Sequence, residues 1–141
     1  MLVGRYEQTI DAKGRVNIPS KFRSALGEAF VAAVGDEECV CIYPMEEWNA
    51  FMDRVRNVPS EERAMLMRYI QENSAECDMD SQGRVVIPPK IREYAGLQKE
   101  IVVVGVSDKV EIWDRNRWES YMEAPDFNAD EIAKVMEELG I

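Results

Sequence analysis

The stretch Asp11-Ala12-Lys13-Gly14-Arg15-Val16-Asn17-Ile18-Pro19-Ser20-Lys21-Phe22-Arg23 returns 69 residues later as Asp80-Ser81-Gln82-Gly83-Arg84-Val85-Val86-Ile87-Pro88-Pro89-Lys90-Ile91-Arg92. Asp, Gly, Arg, Val, Ile, Pro, Lys and Arg recur in register, at eight of thirteen positions. Gly27 and Gly96 extend the match. A one-residue insertion then shifts the offset to 70, and Gly35, Ile42, Trp48 and Met52 match Gly105, Ile112, Trp118 and Met122. Self-similarity of this length is the mark of duplication. The 141-residue chain therefore divides into a first unit at 5–56, a linker helix at 57–73, a second unit at 74–123 and a helical tail at 124–141.

Each unit carries the same local code. A short strand (Tyr6 to Ile10; Ala75 to Met79) runs into D-x-x-G. Aspartate and glycine bracket a tight reversal, and Gly14 and Gly83 are free to take positive φ. Val16 and Ile18, like Val85 and Ile87, alternate with other residues as a second strand. The pattern predicts a β-hairpin in each unit. Pro19 and Pro88 stop the strand and open a short helix, Ser20 to Leu26 or Pro89 to Ala95. Gly27 and Gly96 close those helices. Two more strands follow in each unit, near Phe30–Ala33 and Val40–Tyr43, then Ile101–Val104 and Val110–Trp113.

The remaining helices read as scaffolding. Met45, Trp48, Met52 and Val55 share one helical face, and Trp118, Tyr121 and Met122 repeat that pattern as expected core. Ser60 is the expected N-cap of a helix running to about Asn73, with Leu66 and Ile70 on one face. Asn128, with Glu131 three residues on, is the expected N-cap of the tail helix, whose apolar face is Ile132, Val135 and Leu139. Cys39, Cys41 and Cys77 read as small core residues. There is no histidine and no C-x-x-C pair, and a four-cysteine zinc site lacks its fourth ligand. No cofactor or metal is expected. No phosphate loop, no G-x-G-x-x-G and no activated nucleophile is present, so no enzyme is expected. The N-terminus has no apolar signal region and no stretch is long enough to span a bilayer, which points to the cytoplasm.

Charge is distributed unevenly. The net charge is −10. Residues 11–23 set Lys13, Arg15, Lys21 and Arg23 against Asp11 alone, a balance of +3, and residues 80–92 set Arg84, Lys90 and Arg92 against Asp80, a balance of +2. The rest of the chain carries −15. Binding responds to the local field and not to the sum. A two-stranded ribbon fits the major groove of B-DNA, and an arginine just past the turn can reach a guanine edge or a phosphate. Asp11 and Asp80 stand where they can orient those arginines or cap the turn. A folding role for the same residues stays open, and Arg23 and Arg92 are equally well read as structural.

D-x-x-G-R-V-x-I-P-x-x-(Ile/Phe)-R resembles the signature of AbrB and SpoVT DNA-binding units. Two copies in a chain of this length resemble the MraZ family, marked by D-x-x-x-R in each half: Asp11 to Arg15 and Asp80 to Arg84. The likeness covers roughly 1–123. It implies an α+β fold, a pseudo-twofold AbrB-like swapped-hairpin β-barrel with flanking helices. It also implies ring-shaped homo-oligomers, cytoplasmic and nucleoid-associated, that bind double-stranded DNA. The family's sites are direct repeats upstream of its own gene in the division and cell-wall cluster. Carried onto this chain, the DNA-binding set is Asp11, Lys13, Gly14, Arg15, Asp80, Gln82, Gly83 and Arg84, led by the two arginines. Gln82 stands where the first half has Lys13, so the halves are unequal. The alternative is a non-enzymatic interaction module of the same fold, used as antitoxins use it.

Overall fold

In the computed structural model, which describes residues 1–125 and 127–141, the first repeat forms β1 (Leu2–Thr9), β2 (Arg15–Asn17), α1 (Ser20–Leu26), β3 (Ala29–Val34), β4 (Val40–Pro44) and α2 (Met45–Arg56). A helix α3 (Ser60–Glu72) leads to β5 (Ser74–Asp78), β6 (Arg84–Val86), α4 (Pro89–Tyr94), β7 (Glu100–Ser107), β8 (Val110–Asp114) and α5 (Arg115–Met122). The tail is α6 (Ala129–Glu138).

The repeats exchange strands. β1 pairs with β7 of the second half, and β5 pairs with β3 of the first, within one antiparallel sheet ordered β1-β7-β8-β4-β3-β5. The two central hairpins meet at β4 and β8, where Val40 faces Ile112, Cys41 faces Glu111 and Ile42 faces Val110. β2 and β6 pair only with each other, as Arg15 to Val86, Val16 to Val85 and Asn17 to Arg84. Val16 and Val85 are equivalent positions of the two repeats, as are Cys41 and Glu111. A pseudo-twofold axis therefore passes through both pairs.

Alternation sorts the strands onto two buried faces. Inward go Phe30, Ala32, Val40, Ile42, Ile101, Val103, Val110 and Ile112, meeting Val16, Ile18, Val85 and Ile87 from the β2–β6 region. Phe22, Leu26 and Ile91 from α1 and α4 complete this core. Each valine, isoleucine, leucine or phenylalanine among them contributes about 1.5–3 kcal/mol when fully buried. β2 touches β1 and β6 touches β5, so the small ribbon bridges both edges of the large sheet. Outward go Val31 and Ala33, covered by Trp48 and Met52 of α2 with Met67 and Ile70 of α3. Cys39, Cys41 and Trp113 also face outward, under Trp118 of α5.

Three local expectations need correction. β2 does not form a ladder with β1; the chain turns at Asp11–Gly14 and leaves β1 free for the long apolar strand β7. Ser60 is not a cap: Pro59, extended at ψ 146°, precedes the helix, and Ser60 begins it with no capping side chain. Tyr121 and Met122 are exposed and Trp118 is only half-buried. The reason is coverage: α3 shields α2, whereas over the shorter α5 Tyr121 meets the ring of Phe127 from the tail side, at 5.3 Å between centroids, and stays exposed. The tail cap holds, with Asn128 Oδ1 accepting from the Glu131 N–H at 2.9 Å.

Candidate nucleic-acid interface

Each D-x-x-G-R segment is a loop knotted by its own aspartate. Oδ1 of Asp11 accepts from the backbone N–H groups of Lys13 and Arg15, both at 2.9 Å, and Oδ2 accepts from Arg15 Nε at 2.6 Å. The second loop repeats this: Asp80 accepts from Gln82 N and Arg84 N at 2.9 Å and from Arg84 Nε at 2.8 Å. Backbone bonds close the reversals, Gly14 N to Asp11 O and Gly83 N to Asp80 O. Gly14 (φ +78°) and Gly83 (φ +77°) supply the left-handed residue. The Arg15 backbone N–H, ahead of the Arg15 side chain and the Lys13 N–H, holds the Asp11 carboxyl below the usual carboxylate range. Arg84 and Gln82 do the same for Asp80.

The loops are locked to each other across the axis. Ile18 N donates to Gly83 O and Ile87 N to Gly14 O, each at 2.9 Å. Arg92 lies over Gly14, where a Cβ would stand 2.2 Å from its Nη1. Arg23 lies over Gly83 in the same way, and its Nε donates to Ile18 O at 2.9 Å. Arg23 and Arg92 are thus half-buried clamps of the loop facing them, the structural role left open by the sequence. Lys90 pairs with Glu72 at 3.1 Å. Lys13 and Lys21 are exposed and have no ion-pair partner among the described residues.

The structure brings the two arginines onto one surface. Val16 and Val85 point inward, so Arg15, Asn17, Arg84 and Val86 point outward from the single β2–β6 ribbon. Arg15 and Arg84 are diagonal neighbours there, a relation that spaces residues roughly 7–8 Å apart, with their Cβ atoms somewhat closer. Each guanidinium is gripped through Nε by its aspartate, and no second partner holds it among the described residues. Their Nη edges remain for a ligand. Lys13 and Gln82 occupy the two loop tips and are exposed. Asn17 and the 54% exposed Val86 are members of this face that the motif did not single out. The alternation around buried Val16 and Ile18 is the signal that could have found them.

Asp36, Asp108, Lys109 and several aromatic rings line a separate cavity of about 320 Å³ on the opposite face of the sheet. It shares no residue with the loops. No helix of the described residues is long and apolar enough to cross a membrane.

The profile of the family described as "MraZ protein, putative antitoxin-like" matches residues 1–68 and again 70–137. A protein named "Transcriptional regulator MraZ" from Lachnoclostridium phytofermentans is 49% identical over 142 residues, covering 100% of this chain and 99% of the relative. Proteins of the same name from Acetivibrio thermocellus and Halothermothrix orenii are 43% and 41% identical, each with 100% of both chains covered. The double match follows the internal repeat, and the relatives extend over the whole length: the chain belongs to the MraZ family.

Proposed function

We propose that this chain is a non-catalytic, sequence-specific DNA-binding transcription regulator. It presents the β2–β6 ribbon and its two flanking loops to the major groove of double-stranded DNA. The observation that carries this reading is the paired grip of Asp11 on Arg15 and Asp80 on Arg84, which presents two Nη edges on one outward face. Arg15 and Arg84 read guanine edges or hold phosphate, with Lys13 adding a phosphate contact in the first loop only. Asn17 suits an adenine edge and Val86 a thymine methyl. Asp11, Gly14, Asp80 and Gly83 shape the loops, and Gln82 supplies a neutral polar tip. The relatives' printed name supports the regulatory role.

The target is a set of direct repeats upstream of the chain's own gene in the division and cell-wall cluster. The working form is a homo-oligomeric ring in the cytoplasm, associated with the nucleoid. The duplicated units at 5–56 and 74–123 together make one ribbon, so one subunit meets one DNA repeat. A ring then multiplies weak single contacts through effective concentration, which offsets the chain's acidic remainder. The exposed apolar face of α6, with Ile132, Val135, Met136 and Leu139, supports assembly because water disfavours it.

The test is binding of the purified oligomer to its upstream DNA across a salt series, beside the double variant Arg15→Ala with Arg84→Ala. Tight, salt-sensitive binding that the folded variant loses supports the reading. Equal binding by both proteins, or none by either, makes the loops folding devices and leaves a protein-interaction module as the function.

A further inference from the structure

The pseudo-twofold axis passes between two unlike residues of the central strands, and that place is chemically loaded. Cys39 and Cys41 of the first half are equivalent to Lys109 and Glu111 of the second, and Cys41 faces Glu111 across β4 and β8. Both cysteines are 1% exposed and both thiols are free. Their sulfurs and a Glu111 carboxylate oxygen lie within 4.8 Å of one another. A tetrahedral ion with Zn–S bonds of about 2.3 Å holds two sulfurs about 3.8 Å apart, so donors within 4.8 Å of one another need only side-chain rotation to share one ion.

The surroundings support a cation. Gly35 sits beneath both thiols: a Cβ there would stand 2.7 Å from Cys39 Sγ and 2.8 Å from Cys41 Sγ. Gly35 N also donates to Cys39 O at 2.8 Å, which holds the turn carrying Cys39. Arg117 of α5 ties that same turn down through Glu38, at 3.0 Å. Glu111 is oriented by Trp113, whose indole N–H donates to Oε1 at 3.0 Å. Lys109 Nζ lies 3.8 Å from Glu111 Oε2 and offsets the negative charge that two thiolates and a carboxylate leave on a divalent ion. Cys41 also lines the 320 Å³ cavity, which gives an ion a way in and leaves room for water as a fourth ligand.

We propose that Cys39, Cys41 and Glu111 form a binding site for a thiophilic divalent cation of the zinc class. Two thiolates select soft or borderline metals over magnesium or calcium. On coordination each thiol gives its proton to solvent, and the ion joins β4 to β8 and so ties the two halves at their axis. Spacing rules missed the site because its third donor comes from the other repeat and is neither cysteine nor histidine.

The reduced oligomer, with three free thiols per chain confirmed, is titrated with Cd(II) and with Zn(II). One ion per chain, an ultraviolet thiolate-to-cadmium absorption band and a raised melting temperature are expected. Cys39→Ala and Cys41→Ala should each abolish the band. Glu111→Gln, isosteric and half-buried, should keep the fold and weaken binding by about tenfold or more, the cost of losing even an outer partner of a ligand. Cys77→Ser should bind as the parent does. Absence of the band in the parent, or its survival in Cys39→Ala with Cys41→Ala, or its loss in Cys77→Ser, would overturn the site.

Discussion

Asp11 and Arg15 are joined twice, once through the Arg15 backbone N–H at 2.9 Å and once through its Nε at 2.6 Å. One carboxylate thus fixes both the loop and the side chain that leaves it. Charge alone predicts that removing an anion beside a phosphate-binding surface strengthens binding. Preorganisation predicts the reverse, because a free arginine must be immobilised when DNA arrives, at about 0.5–1.5 kcal/mol. Asp11→Ala, and equally Asp80→Ala, should therefore weaken DNA binding by roughly that amount each. Fluorescence anisotropy on the upstream DNA measures it, and tighter binding by either variant would show that the carboxylates only repel.

The guanidinium shape should matter separately from its charge. Arg15→Lys keeps the cation but loses the planar fork that meets a guanine edge twice. Affinity for random DNA should stay close to the parent value. Discrimination between the repeat and random sequence should fall by about 1–3 kcal/mol. Equal losses on both DNAs would assign Arg15 to phosphate.

Unequal loop tips give a prediction about salt. Lys13 is exposed at the first tip and Gln82 holds the matching place in the second. Log affinity falls with log salt at about 0.9 per phosphate neutralised. Gln82→Lys should steepen the slope by about that unit and tighten binding at low salt on any sequence. Lys13→Gln should flatten it by the same amount. A slope indifferent to both changes would place the tips away from the backbone.

The lowered carboxyls of Asp11 and Asp80 link the loops to pH. Their folded-state protonation lies below the ordinary range because backbone N–H groups, first that of Arg15 or Arg84, bond the charged form. A depressed carboxyl contributes stability that is complete above its ordinary value and is lost as pH falls through the folded one. Urea midpoints should thus hold steady near neutrality and drop below about pH 4. Asp11→Asn with Asp80→Asn should start lower and lose less over that acid window. A parallel fall in parent and variant would place the acid sensitivity elsewhere.

How much of this was legible in the sequence depends on the range of the forces involved. The D-x-x-G-R loops are local: Asp11, Gly14 and Arg15 settle their bonds within five residues, and the repeat shows them at once. Strands β3, β4, β7 and β8 show in their apolar runs. Partner choice is not local. Nothing in Arg15-Val16-Asn17 says that it pairs with Arg84-Val85-Val86 and not with β1; that follows from the eight-residue β1 taking β7. Hence the motif reads as two sites, whereas the fold makes one ribbon carrying both arginines. The clamp of Arg23 on Gly83 was hidden for the same reason. Tyr121 has the right spacing for a core position, yet exposure depends on whether another helix lies over it, which no spacing records.

That clamp yields a prediction about stability. Gly14 has φ +78°, and Arg92 Nη1 occupies the space a Cβ would need, 2.2 Å away. Gly14→Ala therefore meets two obstacles, a left-handed backbone that costs about 1–2 kcal/mol for a residue with a Cβ and a collision with an arginine from the other half. Arg92→Ala removes the second obstacle and leaves the first. The two substitutions should be non-additive: the double variant should be more stable than the sum of the single losses implies, with a coupling of about 0.5–3 kcal/mol as found for residues in contact. Gly83→Ala and Arg23→Ala should show the same coupling, because Arg23 covers Gly83 across the axis. Gly27→Ala is the control: its φ is +75° but nothing lies within 4 Å of the added carbon, so it should carry the backbone cost with no coupling to either arginine. Urea denaturation of the five single variants and of the four double variants, Gly14 with Arg92, Gly83 with Arg23, and Gly27 with each arginine, decides it. Strict additivity at Gly14 and Arg92 would mean that the arginine swings clear, and that the two halves are not held together through their loops.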